Sequence, residues 1–165
     1  MHQRPFRQVD VFTGQPYRGN PLAVVLDGTG LSTEAMQEFT NWTNLSEATF
    51  VLPPTPEGRA AGADYRVRIF CPGRELPFAG HPTLGTCHAW LEAGGQPQAA
   101  GRVVQECGVG LVTLRQGGDI LIFFLQLRLP LFPRPRCHGT RCAQAFLQLF
   151  QHLVTGQVFD EVFVC

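Results

Sequence analysis

The sequence predicts an α+β domain over residues 1–119, its strands in antiparallel pairs with two helices set between them. Three observations lead there. Short β-prone runs recur, each bounded by Gly or Pro clusters. Two longer stretches carry apolar residues at helical spacing, with start and stop signals at their ends. The resulting order, strand-strand-helix-strand-strand-helix-strand-strand, suits an α+β arrangement and not a doubly wound parallel sheet.

Phe6–Phe12 alternates and reads as the first strand. Thr13–Pro21, "TGQPYRGNP", is a loop by its Gly and Pro content. Leu22–Leu26, "LAVVL", is apolar throughout and reads as a strand buried on both faces. Asp27–Gly30 is a turn, and Ser32 has the chemistry of a helix N-cap. Leu31, Ala35, Phe39 and Trp42 then share one helical face, which is expected in the core. Ala48–Leu52 is the third strand, and Pro53–Ala63 is expected as an exposed loop. Tyr65, Val67 and Ile69 alternate with Arg66 and Arg68, as in a half-buried strand. Cys71–Gly80 reads as irregular. A second helix is expected from about Pro82 to Ala93, with Pro82 in its first turn and Gly94-Gly95 closing it. Arg102–Cys107 and Leu111–Leu114 read as a hairpin around Gly108–Gly110.

Composition excludes several classes of function. A chain of 165 residues is long enough for one domain with a real core. Thirteen Arg balance thirteen Asp plus Glu, and Lys is absent. That neutral, scattered charge argues against a nucleic-acid groove, which needs concentrated positive charge. No Gly-rich phosphate loop follows any strand. The start, "MHQRPFRQVD", lacks the apolar centre of a signal peptide. The longest apolar run, Ile120–Leu125, is far short of the roughly 20 residues that cross a bilayer. A cytoplasmic protein with no membrane or nucleic-acid partner is expected, and its six cysteines are expected as thiols. Cys137, His138 and Cys142 form one close cluster, but two further ligands at usual spacing are missing, so no metal is expected.

Two stretches could carry chemistry. Glu47 stands in "NLSEATFVLPP", between a helix end and an apolar strand. It reads either as a helix-end carboxylate with a local hydrogen bond or as a general acid/base at the lip of a pocket, where apolar neighbours favour a carboxylate that carries a proton. "GHPTLG", Gly80–Gly85, places His81 before Pro82 at a helix start. The free N–H groups and the dipole of such a start favour an anion, and His81 could hydrogen-bond a bound carboxylate or relay a proton. The plainer reading is a capping turn with a surface histidine. Asn20 and Ser46 could bind a ligand or shape their turns. Asp10 is expected to support the Arg18–Asn20 loop, and His88 to pack in the second helix. Cys71 and Cys87 could form a two-thiol racemase pair, or be two ordinary buried thiols.

"VDVFTGQPYRGNPLAVV", "NLSEATFV" and "DYRVRIFCPGRELPFAGHPTLGTCHAW", in this order, resemble the phenazine biosynthesis PhzF-like family from about Phe6 to Asp119. The resemblance implies one half of a diaminopimelate epimerase-like fold: a barrel-like, mostly antiparallel sheet around a central helix, with the site in a cleft between two such halves. It implies a cofactor-independent isomerase that moves a proton on a small carboxylate substrate, as in the isomerisation of trans-2,3-dihydro-3-hydroxyanthranilate. It puts the catalytic glutamate at Glu47 and the pocket histidine at His81, with the Gly80 and His81 amides near the substrate carboxylate. Asn20 and Ser46 complete the expected substrate contacts.

The character of the chain changes near Ile120. Residues 120–165 hold seven of the thirteen Phe, three of the six Cys, and only two acids, Asp160 and Glu161. This stretch is expected as an atypical tail, truncated or frameshifted, without the aspartate and the second Gly/Ser-rich helix start that the family's other half supplies. Ala143–Val154 has helical spacing. Activity is therefore expected to be impaired. A homodimer could set two equal halves face to face, and a non-catalytic remnant or binding module of the same fold is the alternative.

Overall fold

The structure, a computed structural model, describes residues 3–117 and 120–124. Eight strands form one sheet: β1 (Phe6–Val11), β2 (Asn20–Val25), β3 (Ala48–Leu52), β4 (Tyr65–Cys71), β5 (Arg74–Leu76), β6 (Arg102–Cys107), β7 (Gly110–Gly117) and β8 (Ile120–Phe124). Their order is β1-β2-β3-β4-β6-β7-β8, with β5 paired to β4 off this path. The β2–β3 and β4–β6 pairs are parallel and the others antiparallel. The helices are α1 (Thr33–Thr43), α2 (Pro56–Ala60) and α3 (Gly80–Glu92).

Strand β2 is apolar throughout because both of its faces are covered. Leu22 and Val24 join the core beneath α3, while Ala23 and Val25 join a second core beneath α1. Strand β4 alternates as its sequence requires. Tyr65, Val67 and Ile69 pack on the α3 side, and Arg66 and Arg68 face away from that core. Helix α3 packs against β1 at one end of the sheet and β8 at the other, so the sheet wraps around it. Among the described residues β1 and β8 do not pair with each other, and the sheet stays open there. Gly85 permits the close approach of α3. A Cβ at that position would lie 2.8–3.0 Å from the side chains of Leu22, Val11 and Val9.

Three expectations need correction. Residues 53–63 are not all loop: Pro56–Ala60 is helical, started by Thr55, whose hydroxyl accepts from the Gly58 amide. Proline at the first helical position favours such a start. Residues 71–80 are not all irregular: Gly73, at φ 91°, turns the chain so that Arg74–Leu76 pairs back on β4 as β5. Trp42 is not core: it is 79% exposed, and the buried residues of α1 are Met36 and Thr40. The buried stripe runs one position away from the expected face. Thr40 fits inside because its hydroxyl donates to the Met36 carbonyl at 2.8 Å. Trp42 sits in the last turn, where the chain is leaving the sheet, and touches Phe39 at 6.1 Å between ring centroids.

Strand β8 pairs antiparallel with β7, so the sheet continues past residue 119. The cluster Cys137, His138 and Cys142, the expected helix at 143–154 and the rest of the tail lie outside the described residues. Among the described residues no helix is long and apolar enough to cross a membrane.

Candidate active site

The parallel pairing of β2 and β3 sets Ala23 opposite Ala48. The N-terminal ends of both strands therefore leave the sheet on the same side. Asn20 opens β2, and Ser46 and Glu47 immediately precede β3. The chain reaches this point from α1 through Asn44, a left-handed C-cap at φ 56° whose amide donates to the Asn41 carbonyl. Strand β4 runs antiparallel to β3, with Phe70 opposite Ala48, so β4 ends on this same side. The β4–β5 hairpin then leads through Pro77–Ala79 into α3. One end of the sheet thus gathers Asn20, Ser46, Glu47, Gly80 and His81 from three separated stretches.

The central feature is the Glu47–His81 pair. Glu47 Oε2 lies 3.5 Å from His81 Nε2, and the side chains are 19% and 8% exposed. Neither atom has a hydrogen-bond partner among the described residues, although both are buried. Buried polar atoms without partners are rare, and they accumulate where a ligand or a proton is handled. Burial lowers the proton affinity of His81, against an opposing pull from the Glu47 carboxylate and a hydrogen bond to the Pro21 backbone. Pro21 offers only its carbonyl. Since Nε2 is unpartnered, Nδ1–H is the group that reaches it. The ring then presents Nε2 to the carboxylate.

Helix α3 begins beside this pair without a cap. Ala79 makes no side-chain hydrogen bond, and no acid stands in the first turn. Thr83 is the first amide bonded back, to the Ala79 carbonyl at 3.2 Å. Pro82 has no N–H, which leaves the Gly80 and His81 amides as donors without a partner among the described residues. Ser46 donates its hydroxyl to Asn20 Oδ1 at 3.2 Å, joining the two flanking polar residues.

Other expectations resolve simply. Asp10 Oδ2 accepts from the Arg18 and Gly19 amides at 3.1 and 3.3 Å, so it supports that loop. His88 is half-buried, 3.6 Å from Glu92 one turn on. Cys71 and Cys87 are not brought together. Cys71 ends β4, whereas Cys87 packs near Tyr65 at its start, and six strand residues separate those positions by about 20 Å. The Cys87 thiol is pushed up to about 12 by burial, which keeps it protonated. Among the described residues no group of three or more His, Cys, Asp or Glu could hold a metal ion.

Phe12 is a neighbour the sequence did not single out. It follows β1 at φ 69°, a left-handed conformation that is unusual for a bulky residue, and its ring lies 6.2 Å from the His81 ring. Nothing in the residue order marks it beyond its place at the strand end. Two surface cavities, of about 520 and 400 Å³, are lined by other residues. One borders Gln8, Asp10 and Tyr17, the other Arg66, Glu75 and Glu106. Neither is lined by Glu47 or His81.

The model of the family described as phenazine biosynthesis-like protein, PhzC-PhzF, matches residues 9–159. Antisense-enhancing sequence 1 of Schizosaccharomyces pombe is 48% identical over 119 residues, covering 72% of this chain and 39% of the relative. Trans-2,3-dihydro-3-hydroxyanthranilate isomerase of Pseudomonas aeruginosa is 41% identical over 133 residues, covering 77% of this chain and 45% of the relative. A crystal structure of a PhzF-family phenazine biosynthesis protein from Bacillus anthracis superposes with a TM-score of 0.64 at 31% identity, over 74% of this chain and 40% of that one. The chain therefore spans less than half the length of the relatives it matches.

Proposed function

The chain belongs to the phenazine biosynthesis-like PhzC-PhzF family, and from that premise we propose that it serves a cofactor-independent, proton-transfer isomerisation of a small carboxylate-bearing substrate. A substrate of the class named for the Pseudomonas aeruginosa relative, a cyclic hydroxy amino acid with a carboxylate, suits the arrangement. The Gly80 and His81 amides would hold its carboxylate at the start of α3. Asn20 and Ser46 would contact its polar substituents. Glu47 would take a proton from one ring carbon; the C–H electron pair would form a new double bond to the neighbouring carbon, the former π pair would shift to the far carbon, and the proton would be returned there. The imidazole of His81, with Nδ1–H on Pro21, would hold the carboxylate in place through Nε2 when one proton lies between them.

One observation carries this reading: two buried acid/base atoms, 3.5 Å apart and otherwise unpartnered, face each other beside an uncapped helix start. A purely structural pair would be expected to close to hydrogen-bond distance or to find other partners.

The experiment is exchange in deuterium oxide. The chain is incubated with trans-2,3-dihydro-3-hydroxyanthranilate, and deuterium at the ring carbons is followed by NMR. Glu47→Gln keeps the shape and removes the base. General acid/base groups contribute roughly 10²–10⁴-fold, so exchange is expected to fall by about that factor with the fold intact. An unchanged rate in this variant would overturn the role of Glu47. The second reading, a non-catalytic binding module, draws on the short coverage of the relatives. Substrate-induced shifts at Gly80 and His81 without any exchange in the unaltered chain would favour it.

A further inference from the structure

Resting on the reading of Glu47 and His81 as a working pair, we propose that the buried hydroxyls of Thr49 and Thr86 are positioning residues that set the distance between them. Thr86 Oγ1 donates to Thr49 Oγ1 at 2.8 Å, and Thr49 Oγ1 donates on to the Ala23 carbonyl at 3.4 Å. Both threonines are fully buried. Thr49 lies two residues beyond Glu47 on β3, and Thr86 lies five residues beyond His81 on α3. Ala23 belongs to β2, three residues beyond Asn20. This one chain of hydroxyls joins the three elements that carry the acid/base pair and the flanking amide.

The surroundings make its purpose specific. Deeper along α3 than the His81 bond to the Pro21 carbonyl, its packing on β1 and β2 runs through the apolar side chains of Val9, Val11, Leu22 and Leu84. Apolar contacts are non-directional and tolerate a slide of the helix along the sheet. A hydrogen bond inside a dry interface does not, because a slide that opens it leaves both hydroxyls buried and unpaired. A second polar contact, Gln105 Nε2 donating to Thr83 Oγ1 at 3.1 Å, ties the first turn of α3 to β6. It fixes the helix toward the far side of the sheet and does not touch β3. Only the Thr49–Thr86 bond runs directly between the strand of Glu47 and the helix of His81 among the described hydrogen bonds.

Coupling between the two site residues gives a readout independent of turnover. Titrating the His81 ring by NMR in the full chain, with and without Glu47→Gln, measures how strongly the carboxylate is felt at the imidazole. Removing the carboxylate is expected to lower the His81 titration midpoint, because its pull on the protonated ring is lost. The same Glu47→Gln comparison is then made in the Thr49→Val/Thr86→Val background. That double substitution replaces both partners by apolar groups of like shape, which leaves folding nearly unaffected. The expected result is a shift less than half as large, with an unchanged urea midpoint. Thr49→Ser/Thr86→Ser, which keeps the hydroxyls, is expected to restore the full shift. A shift in the valine background equal to that in the unaltered chain overturns the proposal. So does a serine variant that behaves like the valine one. Turnover enters neither arm: loss of the proton-transfer reading would show in the exchange assay, while failure of this proposal shows in the titration.

Discussion

Helices α1 and α3 pack on opposite faces of one sheet, yet they are ended in opposite ways. Helix α1 is closed at both ends. The Ser32 hydroxyl accepts from the Ala35 amide at 3.2 Å, Glu34 stands in the first turn, and Asn44 forms a left-handed C-cap. Its outer face is polar apart from Trp42, and only Met36 and Thr40 are buried. Helix α3 is buried from His81 through Cys87, and its first turn has neither a capping side chain nor an acid. A buried helix start without partners is a cost that folding alone would not select. The finished helix braces the sheet; the unfinished one is held by burial in lieu of caps, and on the proposed function its free donors serve a ligand.

The two helices are expected to respond most differently when a side chain is enlarged where each faces its surroundings. Gly85→Val adds three carbons where even one already lies within 3.0 Å of Leu22, Val11 and Val9. The overpacking is expected to cost about 3 kcal/mol, with α3 forced away from the sheet. Glu38→Leu on α1, at an exposed position, is expected to stay within about 0.5 kcal/mol. Urea unfolding of both variants checks the pair of values. Equal effects would mean that the two helices are not held in different ways.

Much of this contrast was legible in the sequence, and the limits have physical causes. The serine before α1, the proline inside α3 and the glycines after it mark ends that depend on local chemistry, so they can be read from single residues. Strands β3 and β6 fall where their apolar patterns place them. The face of α1 was misjudged by one position because Trp42 is apolar in composition yet lies beyond the covered patch, and local spacing does not report how wide the opposing surface is. Strand β5 was missed because three residues, "REL", are too short to show alternation. The pair at the site was nameable by residue type, and the resemblance to a family named both members. Their 3.5 Å separation was not legible, since it depends on a parallel pairing and a helix contact between stretches more than thirty residues apart. Phe12, Thr49 and Thr86 gave no signal at all: each has an ordinary strand or helix neighbourhood in one dimension.

A smaller effect tests the caps themselves. Ser32→Ala removes the hydroxyl that closes α1 and is expected to cost about 1 kcal/mol. Ala79→Asp does the reverse for α3. The extended backbone at Ala79, φ −153° and ψ 144°, is compatible with an N-cap, so a carboxylate there can accept from the free amides. Stability is expected to rise by up to about 1 kcal/mol, while benzoate or substrate binding, followed by amide shifts at Gly80 and His81, is lost. A variant that gains stability and still binds would show that these amides are not the anion site.

The smallest expected effect separates the helices by pH. On α1, Glu34 is held below the ordinary carboxylate value of 4.5, chiefly by backbone hydrogen bonding at the helix start and by Ser32. A carboxylate with a lowered folded value adds stability above about pH 4.5 and loses it as the pH falls further. On α3, burial holds His81 below the ordinary value of 6.5. The folded state then binds fewer protons than the unfolded one, so stability is full above about 6.5 and declines as the pH falls toward the folded value. The Glu47 carboxylate and the Pro21 carbonyl oppose burial and keep this decline shallow. His81→Gln is therefore expected to flatten the profile just below pH 6.5 and to leave the response below 4.5 in place. Glu47→Gln removes the opposing charge, lowers His81 further, and extends the decline to more acid pH. Urea midpoints for the three chains between pH 4 and 8 decide the matter. A decline below pH 6.5 that persists unchanged in His81→Gln would assign it to a group other than the site histidine, and the acid response would no longer distinguish the open helix from the capped one.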